Sequence, residues 1–519
     1  MYDILIKNGT IIDGTGKAGF VADLAISQGV IKEIGKDISE KRADYVINAK
    51  DKFVTPGFID IQNHSDSYWT LFDQPEQRSL LAQGITTAVM GNCGSSLAPL
   101  SNPESLKTIQ KWHNLTGINV NWSTFAELLQ ALSVNKMGVN VASLVGHATL
   151  RRSLLNDQPR QATTDEIKVM EKMLQQALTE GGMGMSMGLV YSHEVDSSIE
   201  ELMKLTQHLK KDNKYLSVHL RSESGGILDA IDEVIDLGTR TQVPVKISHL
   251  KVRGKKNWHL FDRVMSKLEN AYHQGVNISF DVYPYSSSWS VLYTYLPRWA
   301  YEGGRAEIMR RLDSQMDRRK ILDYLRDQQY DYNGMIVASA EANSSFIGKS
   351  LMEIAHNQNT SNEEALINAI LATRAQVIIF DHNLSDEHVE LLCGSALSMI
   401  ATDGAGYNAE PAQLVHPRCF GAMPAFLSMV REKKLMKWEL AIQKLTSEPA
   451  KLLGLTDRGT LVQDAAADVV VFDPRTIQDK ATYQFPFRFP TGMTAVIVNG
   501  NQAMNENNVI GMHGQVLKR

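Results

Sequence analysis

Apolar and polar positions alternate along the central part of the chain in a pattern that is typical of repeated βα units. Short apolar runs of strand length are separated by longer amphipathic stretches with helical spacing. This pattern predicts an α/β fold whose parallel strands form a barrel. Eight runs are assigned as its strands: Gly57–His64, Thr86–Cys93, Asn140–His147, Gly182–Met187, Tyr215–His219, Val243–His249, Val276–Tyr283 and Ser398–Asp403.

The two ends of the chain are rich in short strands that are bounded by turn residues. Apolar pairs on either side of Gly9 are followed by an Asp-Gly turn, and similar runs return at 467–473 and 495–500. Two β-rich ends suggest one small β-domain that both termini build. The predicted division assigns 1–56 and 457–519 to the β-domain and 57–456 to the barrel.

A long segment separates the seventh predicted strand from the eighth. It runs from about 286 to 350 and is too long to be a single connecting helix. Charge-rich helical stretches follow an aromatic first part. We predict that this segment is an insertion at the end of the barrel that carries the active site. The aromatic residues of its first part are Trp289, Tyr293, Tyr295, Trp299 and Tyr301.

Most of the predicted strands end in a residue that can bind a metal or move a proton. The carboxyl ends of parallel barrel strands lie at one mouth, where barrel enzymes place their active sites. Packing alone does not require such residues at so many strand ends. We therefore expect these side chains to converge: His64, Cys93, His147, His219, His249, Tyr283 and Asp403.

Cys93, His219 and His249 are the strongest candidates for metal ligands. Each residue alone could be structural, because a lone cysteine after a strand is often a small core residue and a lone histidine is often satisfied by hydrogen bonds. Together they supply the three ligands of a catalytic zinc site, which leaves a fourth position for water.

The first predicted strand carries a family motif. Residues 56–64 read Pro-Gly-Phe-Ile-Asp-Ile-Gln-Asn-His and resemble the Pro-Gly-Phe-Ile-Asp-x-His-x-His motif of the amidohydrolase superfamily. Members of that superfamily are metal-dependent hydrolases on a (β/α)8 TIM barrel. His64 matches the second histidine of the motif, but Gln62 replaces the first. A neutral amide oxygen is a poor ligand for a borderline-soft transition metal.

Three further motifs narrow the resemblance. Gly-Asn-Cys-Gly around Cys93, His-x-Arg-x-Glu from His219 and Ser-His-x-Lys around His249 resemble the N-acyl-D-amino-acid deacylases, in order and in spacing. The resemblance covers nearly the whole chain. It implies a TIM barrel, a small β-sandwich domain formed from both termini and an insertion after strand seven. It also implies that Cys93 takes the bridging role that a carboxylated lysine fills elsewhere in the superfamily. Consistently, the fourth run, Gly182–Met187, contains no lysine.

The same resemblance assigns roles to individual residues. It implies a tight zinc position at Cys93, His219 and His249, and a second, weaker position at the first strand. Because Gln62 has replaced a histidine, we expect one tightly held Zn²⁺ and a weakened second position. The remaining implied roles are His64 as a ligand of the weaker position, Asp403 as the catalytic carboxylate, and Lys251, Tyr283 and Arg418 as groups that bind the substrate carboxylate.

The resemblance implies hydrolysis of the amide bond of N-acyl-D-amino acids, and the D preference follows from the resemblance alone. Two alternatives remain. A cyclic-amide hydrolase of the dihydroorotase or hydantoinase kind is disfavoured by the missing lysine in the fourth run. A non-catalytic ligand-binding barrel is supported by Gln62, but the chain retains Asp403 and every ligand of the tight position.

Composition narrows the classes of partner. The chain has 519 residues, of which 43% are hydrophobic and 21% charged, as in ordinary globular proteins. Its net charge of −5 does not suggest the basic surface that binds nucleic acid. It contains no apolar run of membrane-spanning length and no signal-like N-terminus. Three cysteines cannot form a disulfide framework. We predict a cytoplasmic enzyme with a small N-acyl-amino-acid substrate. The preferred side chain, the acyl group and the oligomeric state stay open.

Overall fold

The computed structural model describes residues 1–101, 120–156, 158, 160–340, 342–408 and 414–519. The N-terminal part is built from five strands and one 3-10 helix at Glu40–Arg42. Its strands bury branched aliphatic side chains such as Ile6 and Leu24 on one face, which is the pattern of a half-buried sheet. The strands are β1 (Tyr2–Ile11), β2 (Phe20–Ser27), β3 (Val30–Gly35), β4 (Ala43–Asn48) and β5 (Phe53–Pro56).

The central part alternates short buried strands with amphipathic helices. The strands are β6 (Phe58–Asp60), β7 (Ile85–Met90), β8 (Asn140–Ser143), β9 (Val145–Gly146), β10 (Gly184–Gly188), β11 (Tyr215–His219), β12 (Val245–Ile247) and β13 (Ile278–Val282). The helices are Thr70–Asp73, Arg78–Ala82, Phe125–Val134, His147–Leu155, Thr164–Thr179, Ile199–Lys210, Ile227–Thr241 and Phe261–His273, with a 3-10 helix at Lys255–Leu260.

A separate unit follows β13. Its strands β14 (Ser288–Val291), β15 (Met335–Ala340) and β16 (Val377–Asp381) form an antiparallel sheet in the order β14-β16-β15. This sheet and its helices share a hydrophobic core that runs from Leu292 to Ile379, so the unit extends beyond the predicted 286–350 segment. Its helices are Arg298–Tyr301, Gly304–Asp313, Gln315–Gln328, Leu351–Gln358 and Asn362–Ala372, with 3-10 helices at Leu292–Tyr295 and Ser344–Phe346.

The chain then returns to the central strands through β17 (Ser398–Ile400). One parallel sheet has the order β17-β13-β12-β11-β10-β9, and another has the order β6-β7-β8. A parallel bridge between Asn63 and Gly404 joins the segments that follow β6 and β17. Each of the eight predicted runs overlaps at least one of these strands. The helices around this part are Asp386–Gly394, Arg418–Lys433, Trp438–Leu445 and Ser447–Leu453.

The C-terminal part completes the N-terminal sheet. Strand β18 (Val469–Phe472) pairs antiparallel with β5, and β19 (Met493–Val498), β20 (Asn501–Asn505) and β21 (Asn508–Val509) extend the sheet outward. The result is one nine-stranded sheet with strands from both termini, as the sequence suggested. In the described ranges, no helix combines the length and the apolar character that crossing a bilayer requires.

Candidate metal centre and active site

The central strands stop just before the residues that the sequence singled out. Cys93, His249 and Asp403 follow β7, β12 and β17, and their φ angles are +51°, +38° and +46°. Residues with a side chain rarely adopt such left-handed backbone angles, and they persist only where the surroundings enforce them. The three turns therefore fix the directions in which these side chains leave the strands.

Glycines on both sides of Cys93 make its turn possible. Gly91 and Gly94 have φ angles of +72° and +80°, which only glycine adopts without strain. A Cβ atom at Gly91 would meet the carbonyl of Leu144, and one at Gly94 would meet the carboxylate of Glu194. The Gly-Asn-Cys-Gly motif is thus required by close packing of the backbone as well as by the turn.

Cys93, His219 and His249 bring one ligand atom each into a single buried cluster. These atoms lie within 4.8 Å of one another, and Cys93 Sγ is 3.5 Å from His249 Nε2. Burial would raise the pKa of the Cys93 thiol, but hydrogen bonds with His219 and His249 lower it well below its ordinary value. One thiolate and two imidazoles are the donor set that suits zinc, so the residues fit the metal that the resemblance implies.

Glu223 stands behind His249 on the side away from Cys93. Its Oε1 is 3.1 Å from His249 Nδ1 and 2.5 Å from Lys251 Nζ. If His249 offers Nε2 to a metal, Nδ1 must carry the proton and donate it to Glu223, as metal-binding histidines commonly do. Lys251 Nζ also lies 2.8 Å from His249 Nδ1, and with that tautomer the contact joins two donors. Lys251 then keeps one N–H beyond its bonds to Glu223 and to the carbonyl of His249.

Asp403 lies between a histidine and an arginine. Its Oδ1 is 3.1 Å from His64 Nε2, and its Oδ2 is 2.7 Å from a terminal nitrogen of Arg418. Burial would raise the pKa of the Asp403 carboxyl, but the charges of Arg418 and His249 hold it well below its usual range. His64, Cys93 and Asp403 form a second group of potential ligand atoms within 4.8 Å of one another.

Arg418 and Tyr283 have donor atoms without a partner. Arg418 is 3% exposed, and within the described residues its Nε and Nη1 and the hydroxyl of Tyr283 find no hydrogen-bond acceptor. The guanidinium lies 4.4 Å from the centre of the Tyr283 ring. Buried donors of this kind are costly unless a ligand satisfies them. Burial raises the pKa of Tyr283, so its hydroxyl stays protonated and can donate.

Gln62 lies beneath the cluster and takes part in a buried network. Its Nε2 donates to Cys93 Sγ at 3.2 Å, and its Oε1 accepts from Lys246 Nζ at 2.7 Å and from Ser248 Oγ at 3.2 Å. Lys246 also pairs with Asp281, and neither side chain is exposed. Gln62 is therefore held in place by its neighbours.

All the side chains to which the sequence assigned a role line one small cavity. They are His64, Cys93, His219, His249, Lys251, Tyr283, Asp403 and Arg418. His147 does not reach this cavity. Its two ring nitrogens lie 2.8 Å from Glu194 and Glu201 in a fully buried cluster. Arg221 turns away from His219 and pairs with Glu233.

The cavity contains further residues that sequence reasoning missed. Tyr191 places its hydroxyl 3.5 Å from His219 Nδ1, and Trp289 of the insertion lies over Arg418. Tyr191 gave no signal in the sequence, because aromatic residues near strand ends are common, and Trp289 was named only as one aromatic residue of the predicted insertion. Lys246, which contacts Gln62 beneath the cavity, could have been noticed, because a lysine inside an apolar run is unusual for a strand buried on both sides.

A larger cavity of about 590 Å³ adjoins the first one on the side of the insertion. Tyr191, His219, Glu223, Arg253 and Ser290 line both cavities. Arg253 lies over the Tyr295 ring at 4.9 Å, and no described residue accepts a hydrogen bond from its guanidinium. The insertion thus lines the space next to the candidate metal ligands.

Comparisons with known proteins agree with this geometry. The model of the amidohydrolase family matches residues 45–283 and 415–504. A D-aminoacylase of Alcaligenes xylosoxydans xylosoxydans is 30% identical over 523 residues, which cover 100% of this chain and 98% of the relative.

Two solved structures align along the full length of both chains. One is the N-acyl-D-glutamate deacylase of Bordetella bronchiseptica with zinc and a phosphonate inhibitor, at a TM-score of 0.85 and 30% identity over 100% of each chain. The other is a D-aminoacylase, also at 0.85, with 29% identity and the same coverage. It is described as having a binuclear metal centre in which one metal activates and a second attenuates. These matches show that the chain belongs to the D-aminoacylase group of the amidohydrolase family.

Proposed function

We propose that the protein hydrolyses the amide bond of N-acyl-D-amino acids in a zinc-dependent reaction. One observation carries the proposal: the zinc-type ligands Cys93, His219 and His249 share a buried cavity with Asp403 and with the unpartnered donors of Arg418 and Tyr283. The first group suits a metal, and the second suits the carboxylate of an amino acid.

Cys93, His219 and His249 would hold the zinc ion. When bound, zinc polarises a carbonyl group and makes water acidic enough to supply a nucleophile near neutral pH. Glu223 contributes by accepting the Nδ1 proton of His249, which keeps Nε2 free as a ligand. Burial of all three ligands excludes bulk water from the reaction.

Asp403 would move the proton. As a carboxylate it takes a proton from the attacking water, and it later gives that proton to the leaving nitrogen. His64 at 3.1 Å and Arg418 at 2.7 Å hold the two oxygens of Asp403 in a fixed orientation. A preoriented base of this kind loses little entropy in the transition state.

Arg418, Tyr283 and Lys251 would bind the α-carboxylate of the substrate. Arg418 and Tyr283 supply buried donors that lack partners, and Lys251 supplies its remaining N–H. A carboxylate there satisfies these donors with charge-assisted hydrogen bonds. This anchor fixes the amide over the metal ligands and distinguishes linear N-acyl-amino acids from cyclic amides without a carboxylate.

The larger cavity would receive the substrate side chain. Arg253 and the tyrosines 295, 301, 324 and 330 line it, so both apolar contact and a cationic group are available. We expect side chains that end in a hydrogen-bond acceptor to be preferred over short aliphatic ones, because Arg253 has no described acceptor of its own.

The proposal includes an architecture. The two parallel sheets would close into a (β/α)8 barrel at two places: where only Leu144 separates β8 from β9, and at the bridge between Asn63 and Gly404. Residues 57–456 would form this domain with an insertion that extends to about Asp381, and residues 1–56 and 457–519 would form a small β-sandwich.

A substrate panel tests the function. Zinc-loaded protein is incubated with matched N-acetyl-D- and N-acetyl-L-amino acids that include glutamate, glutamine and leucine, and with hydantoin and dihydrouracil as cyclic amides. Release of free amino acid from the D series, with little from the L series or the cyclic amides, is expected. Protein that holds zinc but hydrolyses only cyclic amides, or nothing, would overturn the proposal.

A further inference from the structure

The orientation of the Gln62 amide is fixed by chemistry. Lys246 Nζ lies 2.7 Å from one amide atom, and an ammonium group can only donate hydrogen bonds. That atom must therefore be the oxygen, and the NH₂ group must face Cys93 Sγ at 3.2 Å. The sulfur consequently accepts a hydrogen bond, which favours its thiolate form.

Lys246 is an unusual residue for this position. It is 0% exposed and pairs with the equally buried Asp281. Asp281 in turn accepts the backbone N–H of His249 at 2.9 Å. Lys246 and Asp281 thus connect Gln62, which contacts Cys93, with the turn that carries His249. The Lys246 ammonium donates to both Asp281 and Gln62, and these two hydrogen bonds in a buried site fix its position.

We propose that Gln62 and Lys246 take the place of a second metal ion at this centre. In this inference, which rests on the zinc site of the proposed function, Lys246 supplies the fixed positive charge and Gln62 transmits it to the Cys93 thiolate. The centre then binds one metal ion. In the D-aminoacylase whose binuclear centre is described, a second metal attenuates activity. The present protein should escape that attenuation.

Two features of the network oppose a second ion. The Gln62 oxygen already accepts from Lys246 and Ser248, so it has no free lone pair for a metal. The Gln62 N–H donates to the Cys93 sulfur from the side of the first strand, where a second ion would have to bind. A cation there would also be repelled by the ammonium of Lys246, which lies on the other side of the Gln62 amide. Repulsion between like charges is strong where water is excluded.

Metal stoichiometry tests the proposal without reference to any substrate. Wild-type protein is saturated with zinc, and its bound metal is measured by mass spectrometry after gel filtration in excess zinc. The same measurement is made on Gln62→His, on Gln62→His/Lys246→Met and on Lys214→Met. Lys214 is a matched control, because it is also a buried lysine and precedes β11 at the strand end away from His219.

We expect one zinc per chain in the wild type, in Lys214→Met and in Gln62→His, where Lys246 still repels a second cation. The double variant restores a ligand and removes the charge, so it should bind two. Two equivalents in the wild type would overturn the proposal, and so would a folded double variant that binds only one. The wild-type result stands even if the double variant does not fold.

Cobalt spectroscopy tests the positioning role separately. Gln62→Leu removes the hydrogen bond to sulfur but leaves the pair of Lys246 and Asp281 intact. In the Co²⁺ protein, the charge-transfer band from thiolate to cobalt should move to lower energy, because the thiolate loses a stabilising donor. An unchanged band would contradict the role of Gln62. Neither spectrum nor stoichiometry depends on deacylase activity, so failure of the proposed function would be recognised separately.

Discussion

The two groups of potential ligands share Cys93 but differ in what surrounds their other members. On the side of His219 and His249, the Glu223 carboxylate can accept a hydrogen bond from Nδ1 of His249, which is an arrangement that strengthens metal sites. On the first-strand side, Gln62 is bound by Lys246 and Ser248 and has no capacity left for a metal. Under the one-metal proposal, the first-strand metal position is lost while the shared thiolate and the adjacent chemistry remain.

Removing the shared ligand should have the largest effect. Cys93→Ala removes the sulfur ligand that both groups share. Loss of an outer-sphere partner lowers metal affinity by up to about 100-fold, so we expect loss of this ligand to lower zinc affinity by more than about 100-fold. Activity should fall with the metal content. Zinc retention after dialysis and the hydrolysis rate measure this, and a variant that keeps stoichiometric zinc would exclude Cys93 as a ligand.

Substituting His219 and His64 one at a time tests the two sides of the comparison separately. His219→Asn should lose zinc nearly as strongly as the cysteine variant, because the tight site loses one of three ligands. His64→Asn should retain close to one equivalent of zinc. It should lose activity because Asp403, whose Oδ1 lies 3.1 Å from His64 Nε2, loses a partner that orients it. Equal zinc loss in both variants would show that the first-strand side still holds the metal.

Asp403→Asn tests the chemistry apart from the metal. The amide cannot accept a proton from water, so kcat should fall by about 10² to 10⁴, the usual contribution of a general acid–base residue. Zinc content and thermal stability should change little. Turnover within a few fold of the wild type, at equal zinc content, would remove Asp403 from the mechanism.

Lys251→Met tests substrate class. A hydrogen bond to a charged group contributes about 1.5 to 3 kcal/mol, so N-acyl-D-amino acids should lose about 10- to 100-fold in kcat/KM. The corresponding amino-acid amides, which lack the carboxylate, should lose much less. Because Lys251 also pairs with Glu223 behind His249, both rates are compared at equal zinc content. Equal losses would assign Lys251 to the metal site alone.

The smallest effect is expected for Asp60, the last residue of β6, where we predict a change in the pH dependence of stability. Burial raises the pKa of Asp60 to about 6 from an ordinary carboxyl value, although Thr402 and Asn63 donate to it. A folded-state pKa above the unfolded one means that stability is greatest in acid and declines as pH rises through about 6. Asp60→Asn should remove about 1 to 3 kcal/mol of this decline. Denaturant unfolding at pH 5 and pH 8 measures it, and an unchanged pH dependence would contradict the shift.

The sequence by itself determined the strands and the residues at their ends. Strand runs are local signals, and the carboxyl ends of parallel strands must meet, so part of the small cavity could be named before any contact was known. The residues named from strand ends that line it are His64, Cys93, His219, His249, Tyr283 and Asp403, whereas His147 lies elsewhere. The family motifs added the roles proposed for Cys93, Asp403 and the carboxylate-binding residues. Local patterns showed that both ends of the chain are rich in strands, but their union in one domain was expected mainly from the family resemblance, and the structure pairs β5 with β18 in one sheet.

Only the tertiary structure decided which side chains touch. Gln62 contacts Lys246 across 184 residues of sequence. Arg418 contacts Asp403, and their separation in sequence carries no contact signal. The insertion extends to Asp381 because its last strand pairs with β14 and β15, a non-local pairing that periodicity cannot reveal. Local patterns fix where a residue stands along its strand, whereas the direction of an amide or the partner of a lysine depends on packing between distant segments.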